Sequence, residues 1–168
     1  MIFNCFAKEA RLCVEAAVQE ARLLGHDSIG DEDLLLGVLR GGEGVAVETL
    51  SSVGVTLVAA REESEALFAE ALSSIGISLD EVRREAGEAF EMRIPDERRI
   101  PFSPRAKKAL ERALREAVRL RDNRITSEHV LRGLLRDEGG TAVRLLRNLG
   151  VTPEALRKRL DERRGRAA

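Results

Sequence analysis

The chain has no tryptophan and no tyrosine, and its only aromatic residues are five phenylalanines in 168 residues. That removes most of the stacking platforms on which proteins lay single-stranded nucleic acid. Only two cysteines occur, Cys5 and Cys13. Eight residues apart on an expected helix they are too distant for a disulfide, and no further cysteine joins them in a metal site, so both are expected as free thiols. The longest apolar run, around Leu34 to Leu39, stops far short of the ~20 residues that crossing a bilayer needs. The opening residues Met1 to Glu9 lack the basic start and long apolar stretch of a secretory signal, and the expected compartment is the cytoplasm. No Gly-Lys pair exists, which excludes the phosphate-cradling loop of a nucleotide-driven machine. The two histidines, His26 and His129, fit neither a nucleophile nor a zinc pattern and read as surface or capping residues near helix starts. No catalytic or metal constellation emerges, no cofactor is expected, and an enzyme is disfavoured.

What is present is a composition able to build a packed core, 43% hydrophobic and 34% charged. The formal net charge of -1 conceals a split. Residues 1–92 carry 7 basic and 18 acidic groups, whereas 93–168 carry 21 basic and 11 acidic. Such opposition can draw the halves together, attract different partners to each, or reflect solvated helix faces. A basic second half leaves nucleic-acid binding as an alternative, with Arg98, Arg99, Arg105, Lys107, Lys108, Arg112 and Arg115 as its footprint.

Sliding the chain against itself by 96 residues aligns 6–56 with 102–152 without a gap, so the chain is a duplication. Matched pairs include Phe6 with Phe102, Ala17 with Ala113, Glu20 with Glu116, Ile29 with Ile125, Glu32 with Glu128 and Gly37 with Gly133. Most are small or apolar and are explained by packing. In this register His26 aligns with Asp122, and Asp33 with His129. Beyond Gly54 the offset falls to 74, so the first repeat carries 22 extra residues. The segment from Leu50 recurs from Leu72, and the Ala- and Glu-rich stretch Val58 to Ala71 between the copies reads as one additional helix.

Each repeat shows four helical stretches and almost nothing that reads as strand. In the second, Ser103-Pro104 supplies an N-cap and an N1 proline to a helix running to about Leu120. Thr126-Ser127-Glu128 opens a short second helix, Gly140-Thr141 a third and Thr152-Pro153 a fourth. The first repeat gives the same order, with its fourth helix opening at the capping box Ser78 to Glu81. The expected organisation is therefore repeat 1 over 1–92, with an insert at about 55–76, a proline-bearing linker over 93–101, and repeat 2 over 102–168, together forming one compact all-α domain.

Glu32 and Glu128 each fall in the first turn of a second helix, where the helix dipole alone favours a carboxylate by ~0.3–1 kcal/mol. A functional role requires a cationic ligand, ideally a guanidinium held by two hydrogen bonds. The succession Phe-x-x-x-Ala, Glu-Ala, Ile-Gly/Thr-x-Glu-x-Leu-Leu-x-Gly-Leu and Gly-x-Ala-x-x-Leu-x-x-Leu/Val-Gly, met twice in order, resembles the double N-terminal repeat of ClpA- and ClpC-type unfoldases. Repeat 2 is the closer match, through Ile100 to Lys108 and Thr126 to Leu135, and the 22-residue insert lies outside the likeness. The resemblance implies two pseudo-symmetric four-helix repeats that bind adaptors and substrates for a protease-coupled unfoldase without doing chemistry themselves.

It also implies a phosphoarginine site in each repeat, with the second-helix glutamate taking the guanidinium and groups at the first-helix start holding the phosphate. Carried over, repeat 2 supplies Ser103, Arg105 and Glu128. Repeat 1 departs, offering Ala7 and Glu9 and leaving Glu32 with only Lys8 nearby, so its site is expected to be weak or lost. Family members further imply a cyclic peptide antibiotic site through Phe3, Phe102 and Lys107, which would make a free-standing copy a decoy that spares the unfoldase. The expected partners are thus Clp components, adaptors, arginine-phosphorylated proteins or such antibiotics, with neither membrane nor nucleic acid favoured.

Overall fold

The computed structural model describes residues 2–41, 43–90 and 99–167, with side chains over 4–41, 43–85 and 99–167. After a 3-10 turn at Ile2–Cys5 come nine α-helices among the described residues: α1 Lys8–Leu23, α2 Asp31–Gly41, α3 Val45–Ser52, α4 Leu57–Ser74, α5 Leu79–Phe90, α6 Pro104–Arg119, α7 Ser127–Leu135, α8 Thr141–Asn148 and α9 Pro153–Ala167. None is long and apolar enough to cross a membrane. The expected linker falls mostly on residues outside those described.

Local chemistry sets the helix starts. Ser103 Oγ accepts from Ala106 N–H at 3.1 Å ahead of Pro104, so α6 begins where its cap and proline dictate. Thr56 and Thr152 cap α4 and α9 in the same way, each accepting at 3.2 Å from the amide three residues on. Helices α1 with α2, and α6 with α7, pack closely as hairpins. Their axes come close because Gly37 faces the backbone of Cys13 and Ala17, and Gly133 that of Ala109 and Ala113.

The extra helix of repeat 1 is present, but packing assigns it differently from the sequence register. Helix α4, expected as the insertion, holds the fourth-helix place. It packs on α2 and α8, just as α9 packs on α7 and α3. It buries Ala60, Ser64 and Leu67, while α9 buries Pro153, Leu156 and Leu160. Helix α5 is the outlier: it rests on α4, and of its residues 79–85 only Leu79 is partly buried. The copied capping segments at Thr56 and Ser78 open two similar helices, and only burial distinguishes them.

The repeats exchange their edges. Ala7 N–H donates to Ile125 O and Ile125 N–H to Cys5 O, both at 2.8 Å. Reciprocally, Ile29 N–H donates to Pro101 O at 2.8 Å and Ser103 N–H to Ile29 O at 2.9 Å. Phe6, Ile29 and Ile125 at these bridges are fully buried.

The charge split is used along the same seam. Arg144 on α8 donates to Glu70 on α4, Arg163 on α9 to Glu48 on α3, and Asn148 to Glu63. In each case repeat 1 brings the acid and repeat 2 the donor. These pairs are exposed and contribute less than ~1 kcal/mol each. They draw the halves together, one of the outcomes that the uneven charge allows.

Buried acids anchor each half. Glu20 takes Arg40 and, from α4, Arg61, whose Nε and Nη2 donate at 2.8 and 2.6 Å. Glu116 takes Arg136 and Arg119. Burial pushes both carboxyls up, but the guanidinium groups outweigh it and hold them below their ordinary range.

Candidate functional site

In a helical hairpin the start of the first helix lies at the end of the second. Arg105, at the start of α6, is held past the end of α7, whereas Glu128 lies in its first turn, and α7 is about 13 Å long at 1.5 Å per residue. Arg105 accordingly reaches Asp137, just past the end of α7, at 3.1 Å. The structure does not bring Ser103 and Arg105 to Glu128. The edge exchange sets Ser103 instead against the start of α2, where Ser103 N–H meets Ile29 O. Each candidate site thus combines the first-helix start of one repeat with the second-helix start of the other.

The first combination joins α6 to Glu32. The Glu32 carboxylate folds back over Gly30, occupying the space a Gly30 Cβ would need. Burial pushes its pKa up to about 7, helped by Asp33 and Asp31 and opposed by His26. Asp31 is turned away to accept from Ala142 N–H at the start of α8, at 2.8 Å. Ser103 Oγ already accepts from Ala106, leaving its hydroxyl proton to donate elsewhere. Arg105 is about half exposed, 53%, and its surface pair with Asp137 is easily exchanged.

The second combination joins α1 to Glu128. Glu9, in the position of Arg105, caps α7: its Oε1 accepts from Ser127 N–H at 3.1 Å and Oγ–H at 3.3 Å. Glu128 Oε1 accepts from the buried Arg132 at 2.8 Å. Its Oε2 takes Arg164 Nη1 at 3.3 Å, while Arg164 Nη2 donates to Asp122 at 2.6 Å. Hydrogen bonding from Arg164 holds the Asp122 carboxyl below its usual range. These groups border a cavity of about 450 Å³.

The two histidines are not idle surface residues. His26 Nδ1 lies 3.0 Å from both Asp33 oxygens, and His129 Nε2 lies 3.0 Å from Asp122. The aligned positions hold the same pair with its members exchanged. Asp33 also accepts from Gly30 N–H, as His129 Nδ1 accepts from Thr126 N–H, so each completes a cap. Donating a hydrogen bond to the Asp33 carboxylate raises the His26 pKa, whereas burial lowers that of His129. His26, Glu32 and Asp33 offer ligand atoms within 4.8 Å of one another, although Asp33 is committed to His26 and Gly30. The place of Arg164 is taken in repeat 1 by Phe68, 96 positions earlier, whose ring lies 5.8 Å from that of His26. The signal for all of this was the exchange of residues between the two registers.

Of the residues expected to hold a cyclic peptide, Phe102 is half-buried against the core and Lys107 is exposed; the Phe3 side chain lies outside those described. The extra helix builds a surface: Leu79, Val82 and Arg83 of α5 wall a cleft of about 570 Å³ against Leu23, His26 and Phe68. Cys13 is buried and its thiol is pushed up to about 12, which makes it a poor nucleophile.

A pair of pseudo-symmetric helical repeats, locked by exchanged backbone edges and carrying a charged site at each junction, defines the class of this molecule. The family model described as the Clp repeat (R) N-terminal domain matches residues 5–69, 57–131 and 101–168, and the chain belongs to that family. It is 39% identical over 156 residues, 93% of the chain, to the chloroplastic ATP-dependent Clp protease ATP-binding subunit ClpA homolog of Brassica napus. It is 37% identical over 167 residues, 99% of the chain, to the chloroplastic chaperone protein ClpC of Pisum sativum. The chain spans about 15% of the length of these relatives, 15% and 16% respectively. The fold matches the N-terminal domain of the protease-associated chaperone ClpD of Arabidopsis thaliana with a TM-score of 0.74 at 24% identity, covering 97% of this chain and 96% of that one. It also matches the Hsp104 N-terminal domain of Candida albicans, with a TM-score of 0.60 at 15% identity over 95% and 91%.

Proposed function

We propose that this chain is a non-enzymatic docking module for proteins handled by the Clp system, and that it recognises arginine-phosphorylated segments through Glu32, Ser103 and Arg105. One observation carries the reading. At the Glu128 junction a guanidinium, that of Arg164, already spans two acidic side chains. At the aligned Glu32 junction Phe68 stands in its place, and the half-buried Glu32 carboxyl, its pKa raised by desolvation and by Asp33, has room for a guanidinium from outside. Glu32 therefore offers an outside guanidinium what Glu128 offers Arg164.

The opposite end suits a phosphate only at this junction, where Ser103 and Arg105 stand in place of Ala7 and Glu9. Of the basic footprint named for nucleic acid, Arg105 and Arg112 are both engaged with Asp137.

Calorimetric titration with phosphoarginine tests the reading. Arg105→Ala is expected to weaken binding at least tenfold, a loss of ~1.4 kcal/mol, and Lys8→Ala to leave it unchanged. Equal affinities in wild type and Arg105→Ala would refute it.

A further inference from the structure

We infer that Arg164 is a built-in occupant of the Glu128 pocket, closing it to arginine side chains from other molecules and leaving the Glu32 junction as the open one of the two. The inference rests on the guanidinium reading given above for Glu32. Arg164 reaches both Asp122 and Glu128 with a single guanidinium, at 2.6 and 3.3 Å. Glu128 is held for this purpose from behind: Arg132, only 3% exposed, fixes Oε1 and turns Oε2 to the pocket. Arg164 itself is 32% exposed and its bond to Glu128 is long, so it can leave without opening the core. It behaves as a tethered competitor, which lowers the apparent affinity of any outside guanidinium by the fraction of time the pocket is free.

The pocket selects an unmodified arginine. Glu9, Asp122 and Glu128 face it, and Arg124 is the one further cation among the described residues that line it. The Glu9 carboxylate already holds the first amide of α7, where a phosphate would have to sit. The same junction in repeat 1 has Phe68 in place of the tethered arginine, so it stays open.

The test is an amide NMR titration with N-acetyl-arginine amide of wild type, Arg164→Ala, Arg164→Gln and Arg164→Ala combined with Glu128→Gln. Both single variants are expected to bind the probe with shifts at Thr126 to Glu128, at least tenfold more tightly there than wild type, and the combined variant to lose this. Phosphoarginine is expected to leave Thr126 to Glu128 unmoved in every variant. The inference is overturned if folded Arg164 variants gain nothing at Thr126 to Glu128, if the gain survives Glu128→Gln, or if phosphoarginine binds there as well as arginine. Shifts at Gly30 to Glu32 report the Glu32 site separately, so failure of that site is not mistaken for failure of this one.

Discussion

Gly133→Ala is expected to destabilise the protein by about 2–3 kcal/mol, lowering its melting temperature by roughly 6–10 °C. An added Cβ would collide with the Ala109 carbonyl oxygen and stand 2.8 Å from Ala113 N, so the obstacle is backbone and cannot swing aside. In an open helix the same change stabilises by up to ~1 kcal/mol, because alanine is the better helix former. The opposing control is Gly165→Ala on α9, where nothing lies within 4 Å of the new atom. Thermal melts should move in opposite directions for the two variants. A melting temperature for Gly133→Ala within about 2 °C of wild type would contradict the close α6–α7 packing, and with it the hairpin geometry that separates Arg105 from Glu128.

Replacing Glu32 with glutamine is expected to do two opposite things. Binding of phosphoarginine should fall at least about thirtyfold, since losing one member of a buried charge pair costs ~2–5 kcal/mol. Stability should rise at alkaline pH. The folded carboxyl has its pKa raised to about 7 from an ordinary 4.5, so the folded state binds the proton more tightly than the unfolded chain. That linkage stabilises fully below pH 4.5 and is lost as pH rises through 7. Glu32→Gln should therefore match wild type near pH 4 and exceed it by on the order of 1–3 kcal/mol at pH 8. Denaturant titrations at the two values check the sign. A variant that is less stable than wild type at pH 8, or that still binds phosphoarginine normally, would mean Glu32 is a structural acid.

The readable parts of the fold were those fixed by local chemistry. Ser103-Pro104, Thr126 and Thr152 announce helix starts because capping is settled within four residues, and the 96-residue register exposes the duplication. The edge exchange was hidden because Ile29 and Ile125, which carry it, look like any core isoleucine in sequence. That single long-range pairing decides which acid meets which base, so Glu32 and Ser103 could be named but not joined. Arg164 was hidden in a basic helix end, and its role follows from tertiary packing alone. The His–Asp exchange between 26, 33, 122 and 129 stood in the alignment but meant nothing until the distances paired them.

The most direct measurement is a crystal structure of the protein soaked with phosphoarginine. Expected is one bound molecule with its guanidinium on Glu32 of one repeat and its phosphate against Ser103 and Arg105 of the other. A ligand held by Glu128, or entirely within a single repeat, would contradict a binding site assembled across the seam.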